Sequence, residues 1–92
     1  MRYAARVDSN QAEIVQAMRD AGASVFIVGL PVDLLVGHAG KTALVEVKRR
    51  EGKRQTPYTQ LQKGFMLDWK GGTVATIVDV AGALALLKVM EA

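Results

Sequence analysis

The sequence contains no cysteine and only one histidine, His38. The lack of cysteine excludes a disulfide scaffold, and it also excludes chemistry in which a thiolate acts as nucleophile or metal ligand. A single histidine cannot form a histidine-rich metal centre. Any metal ion bound by this chain must therefore be held by oxygen ligands, which favours magnesium or manganese over zinc.

Long apolar runs are also missing. No stretch approaches the roughly 20 apolar residues of a membrane span, and residues 1–7 lack the apolar segment of a signal peptide. We therefore expect a cytoplasmic protein without membrane contact. No repeat, linker or low-complexity segment interrupts the 92 residues, half of which are apolar, so we expect one packed domain, 1–92.

Positive charge exceeds negative charge only slightly, with a net charge of +3, but it is concentrated in one segment. Within seven residues this segment carries five cations and one opposing acid, Glu51; the cations are Lys48, Arg49, Arg50, Lys53 and Arg54. Such a cluster can attract the phosphate backbone of nucleic acid. The alternative is a solvated loop without a partner.

The hydrophobic pattern and the turn residues predict an α/β fold with the element order α-β-β-β-α-β-α. The expected helices cover 10–21, 57–70 and 80–90, and the expected strands cover 24–28, 33–37, 41–48 and 73–78, with a charged loop at 49–56. Pro57 is expected in the first turn of the second helix, with Leu61, Phe65 and Trp69 on its inner side. His38 is expected to be exposed in a turn.

The turns between the first three strands are too short for crossovers, so these strands should form an antiparallel meander. The second helix permits a crossover and hence a parallel fourth strand. The sequence therefore predicts a mixed four-stranded sheet flanked by helices.

Glu46 and Lys48 alternate with apolar residues in the third strand, so both side chains point to one face. A carboxylate and an ammonium beside a core need a reason, because burying an unpaired charge is costly. One interpretation is a Glu–Lys pair at a solvated strand end. The other is a catalytic E-x-K sequence.

Asp33 begins the preceding strand, and counting back from the turn at 38–40 places it opposite the region of Glu46. Two neighbouring carboxylates repel each other, and a divalent cation with oxygen ligands relieves this repulsion. The carbonyl of Val47 could add a ligand. The alternative is that Asp33 is an ordinary turn residue after Pro31.

Several motifs, taken in order, resemble the VRR-NUC branch of the PD-(D/E)xK nucleases. The resemblance spans roughly residues 8–80. The motifs are Asn10-Gln-Ala-Glu13-Ile14, Gly22-Ala-Ser-Val25, Asp33-Leu-Leu-Val-Gly37, Glu46-Val-Lys48, Gln62-Lys-Gly-Phe65 and Trp69-Lys-Gly71. One departure is Val32, which separates Pro31 from Asp33 where the family has Pro directly before Asp. The segment between the first two strands also looks shorter than usual for the family.

The resemblance implies a restriction-endonuclease-like core that hydrolyses DNA phosphodiesters with Mg²⁺ or Mn²⁺. Asp33, Glu46 and the Val47 carbonyl would hold the metal, and Lys48 would position or activate the attacking water. Glu13 matches the family's helix-borne acid near the metal, although with Asn10 it could equally form a capping box.

A glutamine of the second helix completes the implied catalytic set. Gln62 matches the family's position, where it would orient Lys48 or contact phosphate. A shift of one helix residue in the alignment would favour Gln60 instead. Phe65 and Trp69 are expected in the core rather than as stacking platforms for bases.

We therefore expect a stand-alone, structure-selective endonuclease acting on branched DNA, of the kind often encoded by phages or prophages. The alternatives are a non-catalytic DNA-binding or assembly module of the same fold, and a protein-interaction domain with an accidental E-x-K. A homodimer is expected because the last helix is apolar nearly all round and a small domain has few elements to cover it.

Overall fold

The computed structural model describes residues 8–51, 54–55 and 57–92, with Glu51 and Arg54 described by their backbone alone. Within these ranges the chain forms three helices and six strands. The helices are α1 (Gln11–Asp20), α2 (Gln60–Asp68) and α3 (Val80–Met90), and the strands are β1 (Ser24–Ile27), β2 (Leu34–His38), β3 (Lys41–Val47), β4 (Arg50–Glu51), β5 (Arg54–Gln55) and β6 (Val74–Ile77). The predicted order is confirmed, with one addition: β4 and β5 pair antiparallel where a loop was expected.

The main sheet has four strands in the order β1-β2-β3-β6. Strands β1, β2 and β3 form the expected antiparallel meander, and β6 pairs with β3 in parallel. The turn between β2 and β3 consists of Ala39 and Gly40, with φ angles of 52° and 77°. Positive φ at both central residues is typical of a tight hairpin turn, and this turn fixes the register that aligns Leu34 with Val45.

One face of the sheet packs against α1 and α3 and forms the core. The strand residues in this core alternate along each strand, as expected for a sheet with one covered face. They include Val25, Leu34, Val36, Ala43, Val45, Val47 and Ile77, and the helices contribute Ile14, Val15, Met18, Ala83, Leu86, Leu87 and Met90. The residues between them, such as Glu46, therefore point to the opposite face, which α2 approaches.

The capping of two helices differs from expectation. Helix α2 begins at Gln60 rather than at Pro57, because the Thr59 hydroxyl accepts from the Gln62 N–H and the Gln62 side chain accepts from the Thr59 N–H. At α1 the capping box of Asn10 and Glu13, one of the two roles considered for Glu13, is wrong, since the Asn10 side chain makes no capping hydrogen bond.

The predicted inner face of α2 is also wrong. None of the nine residues of α2 is buried, and Leu61 is 56% exposed. His38 differs in the other direction: it ends β2, its side chain is largely buried, and its Nε2 lies 2.7 Å from Glu91 Oε2. None of the helices in the described part of the chain is long and apolar enough to cross a membrane.

Candidate functional site

Glu46 and Lys48 lie at the carboxyl end of β3, on the sheet face opposite the core. Their common direction was predicted, but a solvated strand end is wrong. Glu46 has 0% of its surface exposed and Lys48 has 5%. The two oppositely charged side chains are therefore buried, and the interpretation of a solvated pair does not hold.

Asp33 lies beside these residues because the loop before β2 folds back and forms hydrogen bonds to its main chain. The N–H groups of Val28 and Gly29 both donate to the Asp33 carbonyl, at 2.9 and 3.1 Å. The Asp33 N–H donates to Glu46 Oε1 at 3.1 Å, and the Val47 N–H donates to Asp33 Oδ2 at 2.7 Å. The predicted placement of Asp33 beside Glu46 is therefore confirmed.

Gln62 on α2 forms hydrogen bonds to both Glu46 and Lys48. Its Nε2 donates to Glu46 Oε2, while its Oε1 accepts from Lys48 Nζ at 2.7 Å and from the Thr59 N–H at 3.0 Å. These partners fix the orientation of the amide, because only its oxygen can accept from two donors. Of the two glutamines considered, Gln62 contacts the site, whereas Gln60 is exposed at the start of the helix.

Lys48 has further partners around its ammonium. Its Nζ donates to the Pro57 carbonyl at 3.1 Å and lies 3.8 Å from Glu46 Oε2. The same atom lies 5.3 Å from the centre of the Tyr58 ring, within the range of a cation–π contact. The ammonium is thus held by one carboxylate, two oxygen acceptors and an aromatic ring.

The two carboxyl groups perturb each other. Burial, together with repulsion from Asp33, raises the pKa of Glu46 to about 7, although Lys48 acts in the opposite direction. Burial also raises the pKa of Asp33, partly offset by the Val47 N–H and by Lys48. Negative charge at this site is therefore undercompensated, which favours binding of a cation.

The donor set can be compared with that of an implied magnesium or manganese ion. In the described part of the chain, no three histidine, cysteine, aspartate or glutamate side chains cluster to hold a metal. The available protein oxygens are those of Asp33 and Glu46 and the carbonyl of Val47, whose N–H already points to Asp33. Two carboxylates and few other protein ligands suit Mg²⁺, which keeps several waters and takes up substrate phosphate oxygens. The residues present therefore fit such an ion.

Glu13 is not part of this group. It is exposed on α1, and the amino-terminal acid whose charge acts on the pKa of Asp33 is Asp8. Nothing in the sequence pattern distinguished Asp8 as a neighbour of the site.

The predicted basic cluster is described only in part. Arg49 and Arg50 are exposed directly after Lys48, and Arg50 begins the β4–β5 hairpin. Lys53 lies outside the described residues, and of Arg54 only the backbone is described. The described cations thus adjoin the buried polar group.

Two residues of the site were missed in the sequence. Tyr58 places its ring beside Lys48, and its hydroxyl lies 2.8 Å from Thr76 Oγ1. Asn10 donates through Nδ2 to the carbonyls of Lys48 (3.2 Å) and Val78 (2.8 Å). It thereby ties the start of α1 to the ends of two parallel strands. Both contacts join distant parts of the chain, so local patterns gave no indication of them.

Comparisons with models of known protein families, with curated proteins and with solved structures gave no match.

Proposed function

We propose that this chain is a metal-dependent DNA endonuclease with a PD-(D/E)xK core of the VRR-NUC type. The observation that carries the proposal is the convergence of Asp33, Glu46 and Lys48, joined by Gln62, at one end of a β hairpin. The α/β order and the mixed sheet agree with such a core. The proposal includes a cytoplasmic location, in which the enzyme would meet its DNA substrate.

A structural role alone explains the network poorly. Well-packed apolar residues are often as stable as a buried ion pair or more so, because the charges must be removed from water. Here burial of Glu46 and the neighbouring, half-buried Asp33 carboxylate raise the pKa of Glu46 rather than stabilising its charge. Such an arrangement is typical of sites that bind or react.

Each side chain has a distinct role in the proposed hydrolysis, in which water adds to phosphorus and one P–O ester bond breaks. Asp33, Glu46 and the Val47 carbonyl would hold Mg²⁺ or Mn²⁺, which supplies Lewis acidity toward a phosphate oxygen. The Lys48 ammonium would orient the attacking water and offset negative charge on the phosphate oxygens. Gln62 is a positioning residue, because it holds both Glu46 and Lys48.

DNA would approach over the basic segment. Arg49 and Arg50 are exposed next to the site, and Lys53 and Arg54 follow within a few residues in the sequence. Cations in this position would contact backbone phosphates without reading sequence. This agrees with a nuclease that selects the structure of its DNA.

A non-catalytic module of the same fold is the second candidate. The closed state of the site favours it, since Glu46 has no exposed surface and Lys48 is fully surrounded. If the chain is a nuclease, solvent and ions would reach Glu46 and Lys48 past Asp33, which is only half-buried. In the module, the network would only hold α2 on the sheet.

Cleavage of labelled branched and linear DNA, with and without Mn²⁺, distinguishes the two candidates. We expect manganese-dependent cleavage that Lys48→Ala lowers by about 100-fold or more, with folding retained. Lys88→Ala is the matched control, because Lys88 is an exposed lysine on α3, across the sheet. Salt-sensitive DNA binding without hydrolysis would favour the non-catalytic module.

The proposal includes a homodimer, but its interface is placed at β1 instead of α3. Helix α3 packs on α1 and the sheet, with four residues buried. Four apolar residues at the end of β1 and just after it are exposed instead: Phe26 is 63% exposed and Ile27 60%, and Val28 and Leu30 are also exposed. Strand β1 lies at an edge of the sheet. An apolar edge strand without a partner in the described sheet is suited to pairing with a second copy across a two-fold axis.

Sedimentation equilibrium at micromolar concentration tests this dimer. Ile27→Lys should give a monomer, because lysine on an edge strand opposes pairing. Leu67→Lys is the control on α2, where Leu67 is 84% exposed and away from β1. A monomeric mass for the unmodified chain would contradict the proposed dimer.

A further inference from the structure

Trp69, the only tryptophan of the chain, is held by a hydrogen bond and a ring contact without being buried. The residue is 43% exposed, although it was expected in the core. The indole Nε1–H donates to the Gly72 carbonyl at 2.9 Å, and the ring lies 5.3 Å from that of Phe65. A Cβ atom at Gly71 would overlap the indole, so glycine there is what lets the ring lie against the backbone. The ring is thus fixed in place while part of it faces solvent.

The exposed indole forms one wall of a pocket of about 440 Å³. This volume is in the range of small-molecule sites, roughly 300–1,000 Å³. The pocket is lined by Tyr58, Met66, Trp69, Gly71, Gly72, Val74 and Thr76. It therefore combines two aromatic rings, a glycine backbone and hydroxyl groups.

The pocket and the candidate nuclease site share a wall. The Tyr58 ring faces Lys48 Nζ, and the Tyr58 hydroxyl contacts Thr76 Oγ1. Thr76 is in turn the register partner of Glu46 across the parallel pair of strands. A nucleotide whose phosphate lies at Lys48 would therefore have a neighbouring base within reach of the pocket.

The lining indicates the class of ligand. None of the described lining residues carries a charge, so the pocket does not suit a phosphate. A flat ring with polar edges suits it better, because aromatic side chains stack on bases whatever their sequence, and hydroxyl and backbone groups can bond to their edges. Bases of a continuous duplex are already stacked and paired, so only an unpaired base can enter without an unstacking cost.

We propose that this pocket binds one unpaired nucleobase next to the phosphate at Lys48, so that the substrate is DNA with unpaired nucleotides, such as a flap or a single strand. The position of the phosphate rests on the proposed nuclease function. Base binding itself does not, and it can be measured without metal or turnover.

Because Trp69 is the only tryptophan, its fluorescence reports directly on the pocket. In EDTA we expect quenching by a short single-stranded oligonucleotide. We expect none from a duplex of the same sequence or from an abasic oligomer of the same length. Trp69→Ala should weaken single-strand binding by roughly 5- to 150-fold, the usual contribution of one stacked base.

Gly71→Ala provides a second variant that keeps the fluorophore but displaces the ring. It should lose the quenching and weaken binding to a similar extent. Leu67→Ala, on α2 and outside the pocket lining, should change neither. Circular dichroism checks the folding of each variant.

The outcomes separate this inference from the proposed function. Equal quenching by the abasic oligomer, or unchanged affinity in folded Trp69→Ala and Gly71→Ala, would overturn the base pocket. If DNA is still hydrolysed with an unchanged KM in these variants, the nuclease stands and the pocket fails. Quenching by single strands without any hydrolysis would retain the pocket and remove the nuclease.

Discussion

The substitution Glu46→Gln tests the electrostatics of the site through stability. In the metal-free protein the pKa of Glu46 is raised to about 7 from its ordinary 4.5. Between these pH values the folded chain binds a proton that the unfolded chain has released. The contribution of this proton to the free energy of unfolding is therefore complete below about pH 4.5 and is lost as the pH rises through 7.

The difference between the two pKa values, 4.5 and about 7, corresponds to about 3 kcal/mol. Glutamine has nearly the same shape and no charge, so the variant escapes this loss at pH 7.5. However, one of the two acceptor oxygens that face Asp33 N–H and Gln62 Nε2 becomes a donor, which costs about 1 kcal/mol. The net gain at pH 7.5 is about 2 kcal/mol, or roughly 10 °C in Tm for a domain of this size.

Thermal denaturation in EDTA at pH 5 and pH 7.5 measures both limits. At pH 5 the wild-type carboxyl is protonated, so Glu46→Gln should be equal to it or slightly less stable. Glu13→Gln is the matched control, because Glu13 is an exposed glutamate, and it should show no such reversal. A difference in Tm between Glu46→Gln and wild type that is the same at both pH values would refute the reasoning.

Manganese should reverse the order at pH 7.5. The ionised carboxylates of the wild type bind the ion and gain stability from it, whereas Glu46→Gln loses a ligand. Glu13→Gln should keep the stabilisation by manganese, since Glu13 lies away from the paired carboxylates. Loss of that stabilisation would restore Glu13 to the metal site.

Three further outcomes follow from the same geometry. Gln62→Leu should lower kcat by 10-fold or more and shift its pH profile, because Lys48 and Glu46 lose their common partner. The control Gln60→Leu should leave kcat and the pH profile unchanged. Equal effects of the two substitutions would place neither residue in the site. Asp33→Asn should abolish manganese binding in calorimetry, and an unchanged affinity would mean that the metal lies elsewhere. Reversing the cations of the basic segment to glutamate should weaken DNA binding and flatten its dependence on salt, whereas an unchanged slope would mean that the segment faces away from DNA. The residues reversed are Arg49, Arg50, Lys53 and Arg54.

Much of the fold could be predicted from local features. Strand periodicity, short turns and one long connection were sufficient for the order of the main elements and for the direction of each pairing in the four-stranded sheet. The tight turn at Ala39 and Gly40 fixes the β2–β3 register, and a register determines which side chains are neighbours. For this reason the sequence alone could place Asp33 opposite the region of Glu46.

The rest depends on contacts between distant segments. The apolar residues of α2 indicated an inner face, but they could not show that the sheet face beneath is occupied by Glu46 and Lys48. A polar surface there attracts Gln62 and leaves Leu61 outside. Likewise, Asn10 has strand-end acceptors close by only in the folded chain, and these replace the local capping bond expected from sequence.

The Asp33 carboxylate has a further consequence, because it substitutes for a backbone acceptor. The last N–H of β3, that of Val47, donates to this side chain rather than to the main chain of β2. Its protection against hydrogen exchange therefore depends on what Asp33 binds and on its charge. The amide of Val47 is a built-in reporter: solution NMR can follow ion uptake and protonation there at a single peak, without any label on the DNA.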